Sequence, residues 1–271
     1  MIISHKINNL KSSIVIYTHN NEKNIVNIVA TCCKIMPEQE VIILNDSSDD
    51  NTNNLLDTLS GYYDFIHLTF KNKIGTGSAI VEGIIHSTSE ILVLIDASVE
   101  NISKEFIGKM LQLINRSACD IVETYPSNPF IDNDMVMPNA AFGTKALVKK
   151  EIFPLIQDLV GVNYNLDFFI DLYYRLNRKR IQYLNTDESC LQDSDMGNLQ
   201  VRKKDRNVLQ DRMPEYYLAD LELVIKRLKN LFLNHNQYSP FSIYSVQKDL
   251  NQRIEELHKI TVLKTSGMKS S

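Results

Sequence analysis

The chain has 271 residues, of which 44% are hydrophobic and 23% charged, with a formal net charge of -4. That is enough for one large α/β domain, with or without a small appendage, and the composition supports a packed core. Slight acidity excludes general nucleic-acid binding, which needs basic surface to neutralise phosphates, but leaves room for an anionic small ligand at a locally basic or metal-loaded site.

Apolar runs alternate with helical patterns from residue 13 to about 190. Ser13–Tyr17 (SIVIY) is a short β-branched run of the kind buried in parallel sheets. Asn20–Met36 predicts a helix that Pro37 ends. Glu40–Leu44 predicts the second strand, followed by the polar turn NDSSDDN and a helix through Leu59. Phe65–Phe70 is a third strand, Thr76–Ser87 a helix and Ile91–Ile95 (ILVLI) a fourth strand. A helix over Lys104–Asn115 and a strand over Asp120–Thr124 follow. Ser127–Met137, rich in Pro, Asn and Asp, is expected to be a loop on the acceptor side. Asn165–Arg180 then predicts a helix and Ile181–Asn185 a strand. Beyond about Gln192 a basic connector (VRKKDR) leads to two expected helices, Pro214–Asn234 and Ser242–Leu263. The division this suggests is a main domain over 1–200 and a helical extension over 201–271.

Strands separated by single helices imply right-handed βαβ crossovers and a mostly parallel sheet covered on both faces. Ligands of such sheets bind beyond the carboxyl ends of the strands. Each of the first four strand ends carries a polar cluster: Thr18-His19-Asn20-Asn21-Glu22, Asn45-Asp46-Ser47-Ser48-Asp49-Asp50, Lys71-Asn72-Lys73-Ile74-Gly75-Thr76-Gly77 and Asp96-Ala97-Ser98-Val99-Glu100. Any one of them could be an ordinary cap or Asx turn; four converging on one sheet edge point to a site. Gly75-x-Gly77 opens a helix, so its backbone N–H groups could face a phosphate. It is neither a dinucleotide fingerprint, because Ile80 stands at the third glycine, nor a P-loop, because no Gly-Lys-Ser/Thr follows.

These segments carry a resemblance. SIVIYTHNNEKNI looks like the opening of family 2 glycosyltransferases, S-V-V-I-P-T-Y-N-E-E-x-N-I, and VIILNDSSDDNT resembles their V-D-D-G-S-x-D-x-T. NKIGTGSAIVEGI is similar to the lysine-bearing Gly-x-Gly-x-Ala segment of polyprenyl-phosphate hexosyltransferases such as dolichyl-phosphate mannose synthase. ILVLIDAS falls where the family has a strand ending in Asp-x-Asp. NAAFGTKALVKKEIF and NLDFFIDLYYRLNRKRIQYL match its later segments more loosely, and nothing after about residue 192 is recognised.

The resemblance implies a GT-A fold and a nucleoside-diphosphate sugar donor, UDP- or GDP-linked, from which a hexose is moved with inversion. Tyr17, Thr18, His19 and Asn21 would line the nucleotide, with Tyr17 and His19 flanking the base and Asp46 accepting a hydrogen bond from it. Lys73 and Gly75 would lie near the base or phosphates; Asp96, Ala97 and Ser98 would hold ribose and cation. Two residues depart from the pattern: His19 replaces the common tyrosine, and Ser98 stands where the metal-binding aspartate belongs. A hydroxyl is a poorer ligand than a carboxylate for Mg²⁺ or Mn²⁺, and Glu100 could compensate by binding the cation with Asp96. A site without metal would use Lys73 or Arg202 to offset phosphate charge. The alternative is a catalytically silent relative that binds a nucleotide sugar. Asp167 and Asp171, four apart, share a helix face, and Asp171 lies nearest the position of the family's late base. No Asp or Glu among residues 123–134 is excluded from that role.

The acceptor is left open among glycan, lipid-phosphate, peptide and metabolite. Cys32, Cys33, Cys119 and Cys190 have neither zinc spacing nor the look of a disulfide framework, which suits reduced thiols in a cytoplasmic protein. The N-terminal segment lacks the apolar stretch of a signal peptide. No run reaches the roughly 18 apolar residues of a transmembrane helix, so membrane contact would be peripheral. Tyr217, Leu221, Val224, Leu228 and Leu231 form a stripe that could pack on the main domain, make a homodimer or lie on a membrane.

Overall fold

The computed structural model describes residues 11–35, 38–98, 102–125, 143–163, 165–185 and 214–234. Its first half repeats one unit, a buried apolar strand followed by a helix with one apolar face: β1 (Ser12–Thr18), α1 (Ile25–Ile35), β2 (Glu40–Asn45), α2 (Thr52–Leu59), β3 (Ile66–Thr69), α3 (Thr76–His86), β4 (Ile91–Asp96) and α4 (Lys104–Asn115). β5 (Ile121–Tyr125) and β6 (Lys145–Val148) follow, then short helices α5 (Lys149–Ile152) and α6 (Ile156–Leu159) flanking a 3-10 turn. α7 (Leu166–Leu176), β7 (Ile181–Asn185) and α8 (Pro214–Asn234) complete the described elements.

The strands form one seven-stranded sheet in the order β3-β2-β1-β4-β6-β5-β7. All neighbours are parallel except at β6, which runs antiparallel between β4 and β5. Side chains alternate between the two faces, as a strand requires. Ile14, Ile16, Ile43, Val93 and Ile95 pack under α1, α2 and α4. Val15, Tyr17, Ile42, Leu92 and Leu94 pack under α3, α7 and α8. The expected α/β fold class therefore holds, with a mostly parallel sheet sandwiched by helices.

Three expectations need correction. The first helix begins at Ile25 rather than Asn20, because Asn20 takes a positive φ of 56° and residues 20–22 bond to the next loop instead. Asn20 Nδ2 donates to Asp49 Oδ1 (2.5 Å), the Asp49 amide to Asn20 Oδ1 (2.9 Å), and the Asn51 amide to Glu22 (3.1 Å). The helix expected to reach Arg180 stops at Leu176, and just beyond it Arg178 (φ 53°) turns the chain left-handed. Strand β6 was not foreseen.

Val224 and Leu228 of the C-terminal stripe are fully buried in the core that also takes in β1 and α7, and Leu231 packs against it. The stripe residues described are thus covered by their own chain rather than offered to a second copy or a membrane. The loop Ser127–Met137, Arg202 and the helix expected at Ser242–Leu263 lie outside the described residues. No described helix is long and apolar enough to cross a membrane.

Candidate functional site

Sheet register brings the first, second and fourth polar clusters together. Thr18 pairs with Asn45 and Tyr17 with Asp96. Just past the strand ends the Asp46 amide donates to Thr18 O (2.9 Å), the Ala97 amide to Tyr17 O (2.8 Å) and the Phe70 amide to Asn45 O (3.0 Å). One continuous rim results, and it holds Thr18, Asp46, Asp96 and the start of the 70–76 turn.

Asp46 is the hub of this rim. Its residue exposure is 0%, and its carboxylate accepts the Ile74 amide (2.7 Å), the Gly75 amide (2.9 Å) and the Tyr17 hydroxyl (3.1 Å). An ionised carboxylate offers about four acceptor sites, so three are in use inside the protein. Burial pushes the Tyr17 hydroxyl well above its ordinary pKa; a hydrogen bond with Thr76 opposes the shift and the Asp46 charge adds to it. His19 Nδ1 lies 2.8 Å from Asp46 O. A carbonyl only accepts, so Nδ1 carries the proton and Nε2 is the nitrogen left to face a ligand. Asn21 shapes its own turn: its Oδ1 accepts from Thr18 Oγ1 and from the His19 amide, each at 3.1 Å.

The glycine pair has a physical reason other than a phosphate. Gly75 sits at φ 86°, and a Cβ there would lie 2.1 Å from Asn163 Oδ1. A Cβ on Gly77 would lie 2.2 Å from Leu159 O and 2.3 Å from Val162 O, and the Gly77 amide donates to Val162 O (2.9 Å). The N–H groups of Ile74, Gly75 and Gly77 are therefore all bonded within the protein, to Asp46 or to the segment before α7. The turn is built to be rigid and close-packed.

Asp96, nearly buried, ends β4 and accepts the Ser98 amide on Oδ1 (2.8 Å). Ala97 is buried, whereas Ser98 and Lys73 are exposed. Among the described residues no three His, Cys, Asp or Glu side chains gather as a metal cluster. Asp96 and Ser98 supply one carboxylate and one hydroxyl. That set fits a Mg²⁺-like ion, which commonly takes one or two carboxylates and completes its shell with phosphate and water oxygens. Glu100, the other expected ligand, lies outside the described residues.

The two α7 aspartates share a face but have different partners. Asp171 accepts the Tyr183 hydroxyl (2.5 Å) and pairs with Arg175 Nε (2.9 Å), leaving its side chain 15% exposed. Burial, then the Asp171 charge, pushes the Tyr183 hydroxyl above its usual pKa. Asp167, in the first turn, has a 40% exposed side chain; it accepts the Gly143 amide (3.1 Å) and pairs with Lys145 Nζ (2.9 Å).

Lys145 is fully buried and lies 3.5 Å from Glu123 on the neighbouring strand. Burial pushes the Glu123 carboxyl up to about 7 against the pull of Lys145. Burial would lower the Lys145 ammonium pKa, but Asp167 and then Glu123 more than offset it, and the ammonium stays charged. Leu94, Lys145, Glu123 and Tyr183 are successive partners across the sheet. This ion group therefore lies in the row two residues below Asp96, at the same edge. Sequence reasoning had kept Glu123 open but missed Lys145. The only trace of it was a charged residue opening an otherwise apolar strand, KALV.

Known proteins share the family signature and the fold of this chain. Residues 13–163, more than half of the chain, match the family model for glycosyl transferase family 2. Among solved structures, S. aureus TarS 1-349 is 17% identical at a TM-score of 0.51, the match covering 65% of this chain and 58% of that one. In a second TarS structure the match spans only 35% of that chain. With the TarS fragment in complex with UDP-GlcNAc the match covers 91% of this chain and 73% of that one, at TM-score 0.62 and 15% identity. Glucosyl-3-phosphoglycerate synthase from Mycobacterium tuberculosis, in complex with Mn²⁺, UDP and glucosyl-3-phosphoglycerate, matches at TM-score 0.54 and 14% identity over 74% of this chain and 78% of that one. At such identities the structural likeness establishes the fold, a GT-A-type α/β sandwich. Taken with the matched family model, it follows that the chain belongs to glycosyl transferase family 2.

Proposed function

We propose that the protein transfers a hexose from a UDP- or GDP-sugar to a hydroxyl-bearing acceptor by a single displacement with inversion. The observation that carries this reading is the meeting, on one sheet rim, of Asp46, hydrogen-bonded to the Ile74–Gly75 turn, and Asp96, paired with Tyr17 on the neighbouring strand. Solved relatives with this fold carry UDP or UDP-GlcNAc in their complexes.

The base would lie against Tyr17 and His19, with Thr18 and Asn21 shaping the turn beneath it. Asp46, covered by its own chain, would act by fixing the 74–75 turn beneath the nucleoside. Lys73, exposed beside that turn, would meet the diphosphate. Asp96, with Ala97 and Ser98 following it, would hold ribose and, with Glu100, a Mg²⁺ or Mn²⁺ ion. Such an ion neutralises charge on the departing nucleoside diphosphate.

The acceptor hydroxyl needs a carboxylate within hydrogen-bond reach. Of the two on α7, Asp167 suits the role better than Asp171. It is the more exposed of the two, 40% against 15%; each aspartate already holds a cation, Lys145 on Asp167 and Arg175 on Asp171, and Asp171 is further covered by Tyr183. The acceptor could be a glycan, a peptide, a metabolite or a lipid phosphate, the last requiring contact with a bilayer surface.

Titration calorimetry with UDP- and GDP-sugars, with and without Mn²⁺, tests the donor, and donor hydrolysis in the same samples tests turnover. Asp167→Asn should lower turnover about 10²–10⁴-fold with donor affinity unchanged, and Asp171→Asn far less. Binding without turnover, unrestored by Ser98→Asp, would establish the silent nucleotide-sugar binder instead. If Glu100→Ala leaves Mn²⁺ dependence intact, the proposed cation site is wrong.

A further inference from the structure

The segment between α6 and α7 is held on two sides. On one side it meets the turn that opens α3: the Gly77 amide donates to Val162 O (2.9 Å), the Gly161 amide to Ser78 Oγ (3.0 Å), and Asn163 fills the space a side chain at Gly75 would need. On the other side it meets α8. The buried Asp220 carboxylate accepts the Asn163 amide (2.7 Å), the Asn165 amide (2.8 Å) and Asn165 Nδ2 (3.1 Å), while Arg227 donates to Asp158 O.

Asp220 thus bonds the backbone on both sides of residue 164, at the start of α7, and the same stretch fixes Gly75 and Gly77. Gly75 and Ile74 in turn are the amides that Asp46 holds. A chain of direct contacts runs from α8 through residues 158–165 and the 74–78 turn to Asp46, Tyr17 and His19.

We propose that α8 is the outer wall of the nucleotide site, with Asp220 a positioning residue that sets the 74–78 turn through the 158–165 segment. The link to nucleotide binding rests on the donor reading above; the mechanical link does not. Hydrophobic packing of Val224 and Leu228 attaches α8 to the core but would be satisfied by many small shifts of the helix. The three bonds to Asp220 fix its height along α7, because charge-assisted hydrogen bonds are short and directional. Through the close approach at Gly75 and Gly77, any slip of the segment moves the turn.

The test uses the full chain carrying Asp220→Ala or Asp220→Asn. The asparagine keeps one acceptor oxygen, so it should behave as an intermediate. Amide hydrogen exchange at Ile74, Gly75 and Gly77 should quicken about tenfold or more in Asp220→Ala, while amides of α4 on the opposite face keep wild-type rates. Dissociation constants for UDP and GDP should weaken in the same order, wild type then asparagine then alanine, for whichever nucleotide the wild type binds.

Wild-type exchange at Gly75 and Gly77 in Asp220→Ala, with quickened exchange confined to α8, would overturn the proposal. If Asp220→Ala fails to fold, the same comparison is made on Asp220→Asn. A wild type that binds neither nucleotide would sink the donor reading, while the exchange data would still decide the role of Asp220.

Discussion

Asp46→Ala is the sharpest probe of how the site is built. It removes the acceptor of two backbone amides, those of Ile74 and Gly75, and of the Tyr17 hydroxyl. Tyr17 accepts from Thr76, so its own O–H also loses its acceptor, but a hydroxyl can rotate to a new one and the two amides decide most of the cost. A hydrogen bond to a charged group contributes about 1.5–3 kcal/mol, and a buried donor left unpaired costs a similar amount. Partial relaxation of the exposed 71–73 stretch would lower the sum, giving about 3–5 kcal/mol for the substitution. For a domain of this size that is a fall in Tm of roughly 6–20 °C. Asp46→Asn retains one acceptor and should lose about half as much.

Thermal and urea unfolding measure both variants, and UDP and GDP titration measures the site. A loss below about 1 kcal/mol for the alanine variant would refute the claim that Asp46 ties the turn. Full stability with abolished nucleotide binding would instead make Asp46 a direct ligand contact.

Glu123, with its carboxyl pushed up to about 7 by burial, makes stability fall with rising pH. Its contribution is complete below the unfolded-state pKa near 4.5 and is lost as pH rises through about 7. The wild type should therefore weaken by up to about 3 kcal/mol between pH 5 and 8, and Glu123→Gln should flatten that slope in urea titrations. Lys145→Met leaves Glu123 and Asp167 facing each other without their cation and should cost about 3–5 kcal/mol, with part of the loss recovered when Glu123→Gln is added. Gly77→Ala drives a methyl into two backbone carbonyls and should cost about 1–3 kcal/mol. Gly108→Ala, on α4 with nothing within 4 Å of the new Cβ, should stabilise by about 0.5–1 kcal/mol. Chemical denaturation of the pair reads both signs.

Much of the fold was legible because local pattern and burial agree. Lys104–Asn115, Ile181–Asn185 and Pro214–Asn234 have the limits that periodicity and flanking polar residues suggest. The four-residue strand β6 escaped because a lysine at its start argues against a buried position. Only the carboxylates of β5 and α7, distant in sequence, make that position tolerable. The first turn of α1 escaped for a related reason: Asn20, Asn21 and Glu22 read as helix-opening residues, but their partners lie on the loop after β2. At the site, the meeting of Asp46, Gly75 and Asp96 could be read from strand ends alone. That Asp46 is covered, and that the glycines make room for residues 159–163, depends on contacts across the sheet edge that no local spacing encodes.

The reciprocal bonds between residues 20–22 and 48–52 give the rim two unlike lips. One lip is stitched, so the loops after β1 and β2 must swing together or not at all. The other lip, where Lys73 stands exposed, is tied to the loop after β2 by the Ile74 and Gly75 amides on Asp46. The described loops after β1, β2 and β3 are thereby joined by direct bonds, so a displacement of one is passed to the other two.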